Sequence, residues 1–493
     1  MQFNSYLFLL VFLPAALAGY FGLCRMKRHT WARGFLAAMS LVFFAYANPW
    51  YLGLLVGSAV FNWAVSRVLA GEGNKETAKG NSKTPSRTDG KKSGRRMVLV
   101  FGICANLALL FYFKYTNFFI ENLNAFLGKD IAFTRLLLPV GISFFTFQQI
   151  AWLVDSFCME TGDYSFWDYF LFTVYFPKIA MGPILLHGEF MPQLKDPSRL
   201  KADSRNMAEG LMILAVGLFK KVILAEFFAG PVNWGYAQVE ILSSTDAFLV
   251  MLAYTFQLYF DFSGYCDMAM GISRMFNLEL PLNFNSPYKA LSPVEFWKRW
   301  HMTLTRFLRT YIYFPLGGSR KGSLRTYMNI MIVFLVSGFW HGAAWTFILW
   351  GALHGAAQAL NRVFKRQWEN LHTAFRWMAT FLFVNLTWVI FRSESISQAK
   401  LFLKRLLDFG NMQINPSFMD SFKMVELPLW LTGHRVFTVL GLYGIVLCLV
   451  MNARNMGETE LRPTFLRGAG TALLLVWSVL SLAGISGFIY FQF

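Results

Sequence analysis

Residues 326–361 read TYMNIMIVFLVSGFWHGAAWTFILWGALHGAAQALN, without a single Asp, Glu, Lys or Arg. The run is longer than the roughly 18 apolar residues that suggest a membrane-crossing helix. Its ionisable groups of note are His341 and His354. His341 sits in Ser337-Gly338-Phe339-Trp340-His341-Gly342, about 22 Å along a helix that starts at Thr326. An ionisable group inside a membrane segment is costly, so its default reading is a functional site with a partner to be found. Glycines beside it lack a Cβ and let backbone or substrate come close. A hydrogen-bonded histidine between packed helices is the structural alternative, and position alone favours neither.

The whole chain extends this pattern. Of 493 residues, 56% are hydrophobic and only 15% charged, against about 25% charged in soluble domains. The fold class expected is an all-α, polytopic membrane helix bundle. The 53 phenylalanines and 16 tryptophans suit lipid contact and interfacial anchoring. A net charge of +18 would suggest nucleic acid in a soluble protein. Here Lys and Arg in cytoplasmic loops account for it, and no nucleic acid is expected. The five cysteines are scattered without a C-x-x-C pair, so neither a disulfide framework nor a zinc or other metal site is indicated.

Apolar residues 3–23 precede the basic cluster Arg25, Lys27, Arg28 and Arg33, the reverse of the charge order in a cleaved signal peptide. The segment is expected to be a permanent first span with its N-terminus outside. Segments 34–48 and 49–70 lead to 71–96, which has eight Lys/Arg against three acids and is expected to be a disordered cytoplasmic loop. Further spans are predicted near 97–120, 136–158, 207–230, 246–272, 377–391, 433–451 and 468–490. Segment 165–185, broken by Pro177 and Gly182-Pro183 and carrying Lys178, suggests a re-entrant or kinked element. Roughly 10 to 12 crossings result, in one membrane domain covering 1–493, with no internal repeat of the transporter kind.

Segment 292–318 differs. Ser292-Pro293-Val294-Glu295 is a capping box with proline at the first helical position. On a helix, Lys298, Arg299, Arg306 and Arg309 share one face, and Trp297, Trp300, Leu304, Phe307, Leu308 and Tyr311 the other. His301 lies on the boundary. Such a helix lies at the cytoplasmic interface or dips into the membrane.

His301 and His341 are the leading chemical pair. A neutral imidazole can take the proton of a hydroxyl that attacks a thioester, and basic side chains beside His301 suit a phosphorylated donor. A polar pair can also simply hold helices together. Asp261 and Asp267 stand about 240° apart on one helix, so one metal cannot use both, and pairing with Lys or Arg of the basic segment is the favoured role. His354 is read as structural, and His29, His187, His372 and His434 carry no assignment.

These motifs together look familiar. Pro177-Lys178 with Gly182-Pro183, the stretch 261–271, Asn283-Phe284-Asn285-Ser286-Pro287-Tyr288, Glu295-Phe296-Trp297-Lys298-Arg299-Trp300-His301, Tyr313-Phe314-Pro315-Leu316-Gly317-Gly318, Phe339-Trp340-His341-Gly342 and the terminal 488–493 occur across nearly the whole chain. Together they resemble the membrane-bound O-acyltransferase superfamily, in the branch of the bacterial alginate O-acetyltransferase membrane subunit. The teichoic-acid D-alanyl transfer subunit is a more distant likeness. The resemblance implies helices around a central tunnel, with His341 as the catalytic residue and His301 as its companion. Lys178, Asp261, Asn285, Trp297, Lys298, Arg299 and Trp340 become candidates for lining the donor and substrate path. No bound cofactor is implied, and acetyl-CoA or another cytoplasmic acyl thioester would be the donor substrate. The acyl group would cross the plasma membrane (the inner membrane of a Gram-negative cell) to an exported polysaccharide such as alginate or cellulose, directly or through a periplasmic acetyltransferase. Cys266 stands where serine is common in the branch, and Thr310 where Asp often stands. A polysaccharide exporter or flippase, and a catalytically idle scaffold for a periplasmic partner, are the competing functions.

Overall fold

In the computed structural model, which describes residues 1–70, 89–133, 136–161, 164–422, 435–453, 455 and 462–483, every described regular element is a helix. A backbone inside lipid has no water to bond, and a helix satisfies its own polar groups within one segment. Five described helices are long and apolar enough to cross a membrane: Phe8–Arg25, Trp50–Ala70, Ser93–Lys114, Thr373–Arg392 and Arg435–Asn452. Of the other predicted spans, Ser244–Met275 is a single helix of 32 residues that carries Asp246, Asp261, Asp267 and Arg274, and the rest are short or interrupted. Ile142–Cys158 has 13 buried residues among its 17, so protein rather than lipid covers it.

The described chain divides into two compact units, Met1–Gly210 with Ala269–Pro281, and Leu211–Met268 with Leu282–Phe493. In the first unit, segment 165–185 is broken as its prolines predict. Ser165 and Asp168 form a reciprocal capping box at the start of Phe166–Val174, and the short Phe176–Ile179 helix follows. The predicted loop 71–96 lies outside the described residues as far as 88. From Asp89 onward the chain is instead helical, running to Lys114. Arg95 explains part of the difference: its Nε donates to the Leu69 carbonyl at 2.9 Å and its Nη2 to the Phe157 carbonyl at 3.1 Å. Those carbonyls lie in the last turns of two helices, where no intrahelical donor remains. The terminal 488–493 motif lies outside the described residues, as does the end of the predicted 468–490 span.

In the second unit, the 326–361 run is two helices, Ser323–His341 and Trp345–Val363. Glycines let their backbones touch. A Cβ on Gly338 would overlap the Phe347 carbonyl oxygen and stand 3.2 Å from the Gly351 Cα. The close approach expected beside His341 is therefore made by the protein's own backbone and, at Gly342, by the Phe347 ring. Buried Trp300, Trp350 and Trp388 form the aromatic centre of this unit, with Trp300 and Trp350 rings 5.1 and 5.8 Å from that of Trp388.

Candidate active site around His301 and His341

The 32-residue helix Ser244–Met275 starts on reciprocal bonds between Ser243 and Asp246. It meets the Ser204–Phe219 helix at two glycines: a Cβ on Gly217 would stand 2.7 Å from the Gly264 carbonyl oxygen, and one on Gly264 would stand 2.8 Å from that of Gly217. The close crossing brings the next two residues, Lys220 and Lys221, to the two aspartates. Lys220 Nζ lies 2.6 Å from Asp267 Oδ2, and Lys221 pairs with Asp261. Successive residues leave a helix about 100° apart, so adjacent lysines can serve carboxylates on different faces. The expected ion pairing is present, but its cations come from 220–221 and not from the basic 292–318 segment. Asp261, a candidate for the substrate path, is occupied by a buried lysine.

Half of the capping box at 292 forms: Glu295 N–H donates to Ser292 Oγ at 3.1 Å, while the Glu295 carboxylate accepts from the Leu291 N–H, one residue before the cap, and not from the N–H of Ser292 itself. The helix it starts does not continue to 318. It runs Pro293–Arg299, breaks at Trp300 and His301, and resumes as Met302–Leu308. The cause is a neighbouring extended segment that takes the helix's hydrogen bonds. Asn285 N–H donates to the Arg299 carbonyl at 2.8 Å, and Met302 N–H donates to the Asn283 carbonyl at 2.9 Å. His301 sits at the break with φ 45°, a left-handed conformation in which non-glycine residues are uncommon. Trp297, Trp300, Leu304, Phe307 and Leu308 are buried, so the aromatic face packs into protein.

This break aims His301 inward. The ring is fully buried, 4.9 Å from Phe262 and 6.4 Å from the His341 ring, centroid to centroid. His341 is the last residue of its helix, with Trp340, Trp350 and Phe391 rings 4.9, 5.2 and 5.4 Å away. Two imidazoles joined by a direct N–H···N bond have centroids about 5 to 6 Å apart. At 6.4 Å the rings are neighbours. The predicted pair is thus brought together, and Trp340 flanks both rings, 6.2 Å from His301.

His354 shows what a structural histidine looks like. Trp297 Nε1, which can only donate, gives its proton to His354 Nδ1 at 3.1 Å, and His354 Nε2 lies 3.0 Å from Thr387 Oγ1. Thr387 donates onward to the Val384 carbonyl, so Nε2 carries the ring proton. Both nitrogens are committed to the protein. Trp297, another path candidate, is committed to the same contact.

Beside the break lies a cavity of about 950 Å³ lined by Asn285, Lys298, Arg299, Arg362, Lys365 and Arg376, among others. Arg299 is paired with Glu295 and Lys365 with Glu369. Lys298, Arg362 and Arg376 make no ion pair among the described residues. The cavity is at the upper end of the range for small-molecule sites and carries an excess of positive charge. Lys178 belongs to the first unit, with Nζ 4.4 Å from the Phe172 ring centroid. Sequence reasoning missed Asn283 as a partner of His301, Lys220 and Lys221 as partners of the aspartates, and Arg362 and Arg376 as cavity cations. It also missed the contact of His187 with Asp155, 3.2 Å apart in the first unit.

Residues 104–397 match the MBOAT, membrane-bound O-acyltransferase family. Among curated proteins, the chain is 41% identical over 442 residues to the peptidoglycan O-acetyltransferase of Helicobacter pylori, covering 84% of this chain and 81% of that one. It is 34% identical over 454 residues to the probable alginate O-acetylase AlgI of Azotobacter vinelandii, covering 90% and 85%. A shorter likeness, 28% over 251 residues, joins it to the teichoic acid D-alanyltransferase of Streptococcus thermophilus, covering 48% and 60%.

Proposed function

The chain belongs to the membrane-bound O-acyltransferase family and is an O-acyltransferase, and on that premise we propose that it moves an acetyl group from a cytoplasmic thioester to a hydroxyl of an exported glycan. The observation that carries this proposal is the buried His301–His341 pair, 40 residues apart in sequence and 6.4 Å apart as rings. His341 acts as the base. It takes the proton of the attacking hydroxyl as the oxygen bonds to the thioester carbonyl carbon. When the C–S bond breaks, the proton goes to the departing thiolate, so an ester and a free thiol result. Burial among Trp340, Trp350 and Phe391 keeps bulk water from competing for the acyl group.

The basic cavity supports a phosphorylated donor such as acetyl-CoA. Lys298, Arg362 and Arg376 suit phosphate oxygens as point charges or forks, and an excess of cations belongs on the cytoplasmic side. The proposal places the protein in the plasma membrane with its N-terminus outside and its basic loops in the cytoplasm. The acceptor is a cell-envelope glycan, reached directly or through a partner acetyltransferase outside. The relatives' names supply peptidoglycan and alginate as its two leading classes.

The test is a His341→Ala variant inserted at wild-type level in a deletion strain, with ester-linked acetate measured on peptidoglycan and on exported polysaccharide separately. Acetate is expected to disappear from one of them. Undiminished acetylation on both would refute the proposal. Variants lacking both histidines that still sustain acetylation would favour a scaffold.

A further inference from the structure

We infer that Asn283 is a positioning residue that fixes the tautomer of His301, placing the ring proton on Nδ1 and leaving Nε2 as the accepting atom. The orientation of the Asn283 amide follows from its neighbours. Its oxygen lies 3.2 Å from the Thr303 backbone N–H and 2.9 Å from Thr303 Oγ1. A backbone N–H can only donate, so the atom it meets is the amide oxygen and not the nitrogen. The opposite end agrees, since the amide nitrogen donates to Cys266 Sγ at 3.3 Å. His301 Nδ1 lies 3.1 Å from that same oxygen. An amide oxygen has no proton to give, so Nδ1 carries the hydrogen and the neutral ring has its lone pair on Nε2.

This is the opposite tautomer from that of His354, whose protonated nitrogen is Nε2. Two buried histidines in one unit are thus set in opposite protonation patterns by their partners: a tryptophan N–H for one, an asparagine oxygen for the other. The left-handed break at 301 and the backbone bond from Met302 to Asn283 hold the side chains of 283 and 301 in register. Asn283 reaches any substrate only through His301. Its effect on turnover rests on the acyl-transfer proposal above, whereas the tautomer does not.

The full-length protein, labelled with ¹⁵N-histidine in lipid vesicles, tests both parts. A His301→Gln sample identifies the His301 signals. Wild type is expected to show protonated Nδ1 and bare Nε2. Asn283→Leu is expected to lose that preference, and thiol release from acetyl-CoA, the probe donor, should fall by roughly 10²-fold in kcat with KM little changed. Asn283→Asp keeps an acceptor for Nδ1–H and should retain the tautomer. Its negative charge favours the imidazolium, so the acidic limb of the kcat profile should move to higher pH. Thr303→Val, which removes a different donor to the same oxygen, should leave the tautomer unchanged. A wild-type His301 protonated on Nε2 overturns the assignment. So does an Asn283→Leu variant that keeps both tautomer and kcat. Should Asn283→Leu fail to fold, an acidic limb unmoved in Asn283→Asp overturns it. If wild type shows the assigned tautomer but releases no thiol from acetyl-CoA, the donor proposal fails and the assignment stands.

Discussion

Asp261 and Lys221 are each 2% exposed as side chains and pair with one another, so removing either charge should be far more harmful than removing both. Asp261→Asn leaves a buried ammonium facing an amide, and breaking a buried pair from one side costs about 3–5 kcal/mol. Lys221→Met strands the carboxylate at a similar penalty. In Asp261→Leu/Lys221→Met neither group needs a counter-charge, and such apolar replacements are often neutral within about 1 kcal/mol. The double-mutant cycle should therefore show a strongly favourable coupling energy. Thermal unfolding of the purified protein in one detergent, followed by tryptophan fluorescence, provides the readout. Each single variant should melt on the order of 10 °C lower, and the double variant near wild type. Singles that melt with wild type, or a double that falls by the sum of the singles, would refute the pairing argument. A thermally normal Asp261→Asn protein without acyl transfer would instead return Asp261 to the substrate path.

Three other outcomes follow from the same structure. His354→Leu orphans the Trp297 indole N–H, while the Thr387 hydroxyl keeps its bond to the Val384 carbonyl, so it should lower stability by about 1–3 kcal/mol. The fraction that remains folded should keep its kcat, as active-site titration would show. Gly338→Ala pushes a methyl into the Phe347 carbonyl and the Gly351 backbone. It should destabilise by about 1–3 kcal/mol and, by shifting the end of the helix that carries His341, reduce kcat even at temperatures where the fold is intact. Lys298→Glu and Arg362→Glu, in the basic cavity, should raise the KM for acetyl-CoA about tenfold or more with little change in kcat. Added salt should weaken wild-type binding and narrow that gap.

What could be read from the chain was local in origin. The cap at Ser292, the break around Pro177 and the aromatic face of 297–308 each depend on a few neighbouring residues. The pairing of His301 with His341, whose rings lie 6.4 Å apart, was legible too, because each stands in a long motif. What escaped depends on contacts distant in sequence. Nothing in 292–318 announces that its helix stops at His301, since the bonds that stop it come from Asn283 and Asn285. The cations facing Asp261 and Asp267 could not be chosen before Gly217 and Gly264 were seen to cross. The run 326–361 looked continuous because a turn of Gly342, Ala343 and Ala344 is as apolar as the helices it joins.

The left-handed backbone at residue 301 also limits which residues can occupy the position. Most side chains collide with their own carbonyl in that conformation, at about 1–2 kcal/mol. Glycine avoids the collision, and asparagine, aspartate and histidine tolerate it better than the rest. Three of those four can exchange a hydrogen bond with a neighbouring amide. The backbone thus pre-selects the same short alphabet that the chemistry needs. A saturation library at 301, sorted for membrane-inserted, heat-resistant protein alone, should be enriched in those residues before any selection for activity is applied.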